Sequence, residues 1–222
     1  MKIIIDSADI EQIAQLMQVY NVAGVTTNPS ILAKQKGDPT AILQTIRKHI
    51  GEKELHVQIL SQDFETMLQE AKYIVQHFGA KTYIKVPVNA VGLQCIRYLK
   101  AEGYNITATA IYTVEQAMLA ASVGADYVAP YFNRMLNIGT NPEQAIVQMR
   151  AFFDLHHLPT QILAASFKAK TQVTQALLAG AHAVTVQTPT LEEMLQNEQV
   201  KCALQTFAKD FETAFGFTHW GA

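Results

Sequence analysis

Apolar positions along the chain follow two alternating rhythms. Short runs dense in aliphatic and β-branched residues lie at about 2–6, 24–28, 55–60, 82–88, 105–112, 127–132, 160–167 and 183–188, and they read as strands. Between them the apolar residues recur at three- and four-residue spacing. Ile10, Ile13, Ala14, Leu16 and Met17 form one helical face; Met67, Leu68, Ala71, Ile74, Val75 and Phe78 form another, with Asp63 placed to cap its start. Runs such as Ile162-Leu163-Ala164-Ala165 are apolar on both faces, which suits a parallel sheet covered by helices. Phe78-Gly79-Ala80, Val123-Gly124-Ala125 and Ala179-Gly180-Ala181 each close a helical stretch before a strand, where glycine supplies the left-handed conformation of a C-cap.

Eight such βα units predict an α/β chain folded as one (β/α)8 TIM barrel over residues 1–222. An open doubly wound sheet is the competing arrangement. No GxGxxG follows the first run, so a dinucleotide site loses its main support. Past the eighth strand, Val200, Leu204, Phe207, Phe211, Ala214 and Phe215 mark an additional C-terminal helix, followed by a tail with Phe217 and Trp220. The stripe, from about 198 to 222, packs either on its own barrel or against a neighbouring subunit, and that much terminal aromatic surface favours a homo-oligomer.

Composition narrows the choice of partner. Hydrophobic residues make up 49% of the chain and charged ones 16%, enough for a sizeable core. Seventeen Lys and Arg against 19 Asp and Glu give a net charge of -2, which offers no general field for nucleic acid or an anionic membrane. The start, Met1-Lys2-Ile3-Ile4-Ile5-Asp6, meets a charge too early for a signal peptide, and no long apolar stretch occurs. A cytoplasmic location is expected. Cys95 and Cys202 belong to no CxxC pair, and the seven histidines are scattered, with no HxH or HExxH. Neither a disulfide framework nor a metal site is expected, and no cofactor is called for.

Candidate chemistry centres on Lys85, within the otherwise apolar Thr82-Tyr83-Ile84-Lys85-Val86-Pro87-Val88. A lysine there is either a charge that snorkels to water or a desolvated amine able to act as a nucleophile near neutral pH. In a parallel barrel, functional groups gather where strands end and βα loops open. Polar residues recur at that end of successive units: Asp6, then Thr26 to Ser30, Gln58, Lys85, Thr107 and Thr109, Tyr131 and Arg134, Ser166 and Lys168. Each has an ordinary structural reading as a cap, a β-former or a core ring; their recurrence at one rim favours a site.

Four motifs then carry a specific likeness. Gly24-Val25-Thr26-Thr27-Asn28-Pro29-Ser30, Ile84-Lys85-Val86-Pro87, Ala129-Pro130-Tyr131 with Asn133-Arg134, and Ala164-Ala165-Ser166-Phe167-Lys168 resemble the small transaldolase family, and within it the fructose-6-phosphate aldolase branch. The likeness runs from Asp6 to the C-terminal helix. It implies that Lys85 is the Schiff-base lysine, Asp6 the carboxylate that moves a proton at the hydroxyl of the bond being cleaved, and Asn28 an amide that orients substrate, with Thr26 and Ser30 beside it. Gln58, Thr109 and Tyr131 would hold a water beside the imine, and Arg134, Ser166 and Lys168 would bind a phosphate. The resemblance also implies dihydroxyacetone and sugar phosphates as ligands, and a decamer of two stacked pentamers. Gln58 and Tyr131 stand where transaldolases proper carry Glu and Phe, which favours release of dihydroxyacetone over its transfer. Outside the aldolase reading stand a transferase, a sugar-phosphate isomerase, a silent sugar-phosphate-binding barrel, and a pyridoxal enzyme using Lys85.

Overall fold

In a computed structural model, residues 1–221 are described. Eight strands, β1 (Lys2–Asp6), β2 (Val22–Thr26), β3 (Glu54–Gln58), β4 (Thr82–Pro87), β5 (Asn105–Ile111), β6 (Tyr127–Pro130), β7 (Gln161–Ala164) and β8 (Ala183–Val186), pair in chain order. All pairs are parallel, and β8 returns to β1 with Lys2 opposite Ala183, so the barrel closes. The (β/α)8 expectation holds, and the open sheet is ruled out by that closure.

Helices cover the outside: α1 (Ile10–Val19), α2 (Pro29–Leu32), α3 (Pro39–Ile50), α4 (Phe64–Phe78), α5 (Ala90–Ala101), α6 (Val114–Ser122), α7 (Phe132–Asn137), α8 (Pro142–Leu155), α9 (Lys170–Leu178) and α10 (Thr188–Leu195), and α11 (Glu198–Phe215) follows them. Their starts follow from local chemistry. Asp9, Asn28, Asp38, Asp63, Asn89 and Asn141 each accept a backbone N–H of the first turn, and Thr113 with Gln116 forms a capping box. Outward residues such as Leu55, Ile84, Ile106 and Val184 pack against helix residues such as Ile13, Ile46, Ile74 and Ile96 in one continuous core.

Several strand ends differ from the apolar runs, each for a local reason. β2 stops at Thr26 because Asn28 turns away to cap α2, accepting from the Ile31 N–H at 3.0 Å. β7 stops at Ala164, and two residues later Ser166 takes a φ of 64°, which no extended run accommodates. Gly124 and Gly180 follow helices with positive φ as expected; Gly79 also has positive φ, but its ψ of 153° lies outside the left-handed helical region. Gly24 is required for contact rather than for φ: a Cβ there would overlap the Glu54 carbonyl of the adjacent strand.

The C-terminal stripe forms α11 as expected, yet no residue of α11 is buried. The alternative that it packs on its own barrel is therefore not the one adopted.

Candidate active site

At the C-terminal end of the barrel the loops surround a cavity of about 530 Å³. Asp6, Thr26, Asn28, Ser30, Gln58, Lys85, Thr109, Tyr131, Arg134, Ser166 and Lys168 all line it. They come from seven βα units, so only closure of the barrel brings them together.

Lys85 is the fourth of six residues in β4 and 6% exposed. Its Nζ donates to the Thr27 carbonyl at 2.6 Å, a neutral acceptor rather than an ion pair. Burial lowers its proton affinity, and nearby Asp6 only partly opposes this. Asp6 shows the complement: burial raises its proton affinity, against Lys85 and a hydrogen bond donated by Thr26 to Oδ1 at 2.8 Å. Burial thus favours the uncharged form of each group, and their mutual attraction opposes it only in part, the condition in which a lysine can be an uncharged nucleophile.

Asn28 reconciles its two readings. Its Oδ1 is occupied as the cap of α2, so its NH2 is the part left to donate into the cavity. Across the mouth, the Thr109 and Tyr131 hydroxyls are 2.9 Å apart. Burial keeps Tyr131 a neutral phenol, and the Arg134 guanidinium lies 4.8 Å from its ring centroid. Arg134 also donates to the Tyr112 hydroxyl at 3.4 Å, a contact that raises its proton affinity. Arg134 and Lys168 are exposed at the edge, where neither forms an ion pair among the described residues.

Backbone strain concentrates at this rim. Ala110 and Ser166, both lining the cavity, have φ of 58° and 64°, a conformation that costs a non-glycine residue on the order of 1–3 kcal/mol. Ala110 sits where β5 shifts register against β6, between Ala108 and Ile111, so the bulge re-aims the end of β5 where Thr109 meets Tyr131.

Several lining residues were not singled out from sequence. Thr185 and Gln187 come from β8 and its end, where a threonine in a β-prone run gives no signal beyond propensity. His56, fully buried on β3, lies deeper; its Nδ1 is 2.8 Å from Thr107 Oγ1 and its Nε2 is 3.3 Å from Glu54. No three His, Cys, Asp or Glu side chains among the described residues are grouped to hold a metal. No helix among the described residues is long and apolar enough to cross a membrane.

A lysine amine, a carboxylate, a hydroxyl pair and an edge with two cations can together attack a carbonyl, move protons beside the adduct and hold a distant anion. Comparison with known proteins agrees with that chemistry. The family model described as "Transaldolase/Fructose-6-phosphate aldolase" matches residues 3–219. A protein of Streptococcus pneumoniae (strain ATCC 700669 / Spain 23F-1) named "Probable fructose-6-phosphate aldolase" is 42% identical over 214 residues, covering 95% of this chain and 96% of its own.

Proposed function

From the premise that this chain belongs to the transaldolase/fructose-6-phosphate aldolase family, we propose that it is a class I aldolase interconverting fructose 6-phosphate with dihydroxyacetone and glyceraldehyde 3-phosphate. The observation that carries this reading is the Lys85 amine, desolvated and close enough to Asp6 for each to shift the other.

In the cleavage direction, Lys85 Nζ adds to the ketose C2 carbonyl, and loss of water gives an iminium ion. Asp6 takes the proton of the C4 hydroxyl as the C3–C4 bond breaks. The bonding electrons pass into the iminium, leaving an enamine on Lys85 and free glyceraldehyde 3-phosphate. Protonation of the enamine carbon and addition of water to the imine carbon then release dihydroxyacetone and restore the amine. Tyr131, Thr109 and Gln58 would hold the water that relays these protons, since hydroxyls and amides both donate and accept. Arg134, Lys168 and Ser166 would bind the phosphate, and fixing that remote group keeps the aldehyde beside the enamine.

Support for an aldolase over a transferase comes from Tyr131, whose phenol can position a hydrolytic water where a phenyl ring cannot. We read α11 as an arm that reaches a neighbouring subunit within a homodecamer, and the enzyme as cytoplasmic.

Incubation with dihydroxyacetone followed by borohydride should fix the three-carbon unit covalently on the peptide containing Lys85, visible by mass spectrometry. No adduct, or an adduct on another lysine, would overturn the Schiff-base reading.

A further inference from the structure

Strand β8 contributes no group to the chemistry above, yet its third residue, Thr185, lines the cavity while only 5% exposed. Its hydroxyl oxygen lies 2.5 Å from that of Thr26, and Thr26 donates to Asp6 Oδ1 at 2.8 Å. The direction of both bonds follows from counting hydrogens. An ionised carboxylate has none to give, so the one hydrogen of Thr26 points at Asp6. Thr26 can then only accept from Thr185. The string therefore runs from Thr185 to Thr26 to Asp6.

Topology explains why these three meet. β1 lies between β8 and β2, with Ile4 opposite Thr185 on one side and Asp6 opposite Thr26 on the other. Inward side chains of the two flanking strands meet across β1, beneath Asp6, in the layered packing of a barrel interior.

We infer that Thr185 is a positioning residue for Asp6, acting through Thr26 to hold the carboxylate ionised and aimed at the cavity. A hydroxyl that itself accepts a hydrogen bond donates a stronger one. The Thr185 donation thus strengthens the Thr26 bond to a carboxylate whose burial otherwise favours the protonated form. Lys85 from β4 is the cation facing Asp6, and Tyr131 at the start of α7 is the other titratable neighbour, held neutral. Thr185 enters this balance only through Thr26, with which it shares its hydrogen bond.

The inference rests on the proposed reading only for its catalytic consequence, and the test separates the two. The Asp6 carboxyl is titrated in the full-length free enzyme by infrared spectroscopy with 13C-labelled aspartate, the band assigned by its loss in Asp6→Asn. Thr185→Val keeps the shape and removes the donor; its Asp6 midpoint should rise by roughly a few tenths of a pH unit, the share of a charge-assisted hydrogen bond that cooperativity supplies. Thr185→Ser keeps the donor and should titrate at the wild-type midpoint. The acid limb of kcat/KM should move with the midpoint. A Thr185→Val midpoint equal to that of wild type, or a Thr185→Ser shift as large as that of Thr185→Val, overturns the inference. Borohydride trapping on the same preparations tests the Schiff-base reading independently, because it does not depend on where Asp6 titrates.

Discussion

Tyr131 concentrates several demands in one side chain. It follows β6, opposite Ala165 in an isolated bridge, and its backbone precedes α7 without its side chain capping the helix. That leaves the hydroxyl free to pair with Thr109 at 2.9 Å, while Arg134 covers the ring. Changing Tyr131 to Phe removes the hydroxyl and keeps the ring on which Arg134 rests. Aldol cleavage should fall by roughly 10²-fold, the low end for losing a proton-relay partner. Transfer of the three-carbon unit to erythrose 4-phosphate should rise relative to cleavage, because the enamine then persists until a second aldehyde arrives. Steady-state rates with and without erythrose 4-phosphate give the ratio, and an unchanged ratio refutes the assignment. At this scale the rim residues were legible because barrel topology dictates which end of each strand to inspect. Thr185 and His56 were not, because their meaning lies in contacts that cross an intervening strand: Thr185 to Thr26 across β1, and His56 to Thr107 across β4. No spacing within the sequence encodes such a contact.

Strand β3 inverts the usual rule for strands. Its inward positions are Glu54, His56 and Gln58, while Leu55 and Val57 face the helices. The polar row is satisfied by side chains of β1, β4 and β6 inside the barrel: Lys2 donates to Glu54 at 2.6 Å, the Tyr127 hydroxyl reaches both Glu54 oxygens at 3.2 Å, and Tyr83 stacks on His56 with centroids 4.7 Å apart. Burial would raise the pKa of Glu54, but hydrogen bonds from His56 and Lys2 outweigh it and hold it at about 2, against an ordinary 4.5. Burial, with Lys85 and Lys2 adding, lowers that of His56 below its ordinary 6.5, and Glu54 opposes. A neutral imidazole donating from Nε2 to Glu54 accepts at Nδ1 from Thr107, which fixes the tautomer. Both groups bind protons less readily when folded than when unfolded. Stability should therefore be full above pH 6.5, begin to fall below it as the unfolded chain protonates the histidine, and fall faster from 4.5 towards 2 as Glu54 adds on the order of 2–3 kcal/mol. Unfolding followed at a series of pH values gives this profile. Glu54→Gln should be less stable at neutral pH and flatter between 4.5 and 2; a variant as steep as the parent would show that the acid sensitivity arises elsewhere. The apolar half of this strand was legible as a β-prone run. Its end was not, because Ile59 and Leu60 continue the apolar run beyond Gln58, where the chain turns and the Leu60 and Ser61 N–H groups donate to the Glu70 carboxylate.

The C-terminal helix α11 carries an apolar surface that the barrel leaves uncovered. Along α11, Val200, Leu204, Phe207 and Phe215 are 56–65% exposed, and Trp220 is 85% exposed. Over 18 residues this face extends for about 27 Å, and in proteins most helical stability comes from packing such a face against a partner surface. The tail adds to it: Gly216, left-handed at φ 75°, turns the chain so that Phe217 and Trp220 each place a ring 5.2 Å from Phe211. A helix held away from its own barrel, apolar on one side and ending in an aromatic cluster, is shaped to lie on another surface, and a second copy of this chain is the surface always present. Light scattering on micromolar protein should give a multiple of the 24.6 kDa chain mass, and ten times that mass for a decamer. Leu204→Glu with Phe207→Glu should reduce the assembly and leave the far-ultraviolet circular dichroism of the barrel intact, since neither residue touches the barrel core. Asp6, Lys85 and Tyr131 all come from within one chain, so borohydride trapping should survive this dissociation. A wild-type monomer would refute the assembly, whereas loss of trapping in the dissociated variant would mean that α11 of a neighbour helps to hold the barrel mouth in shape.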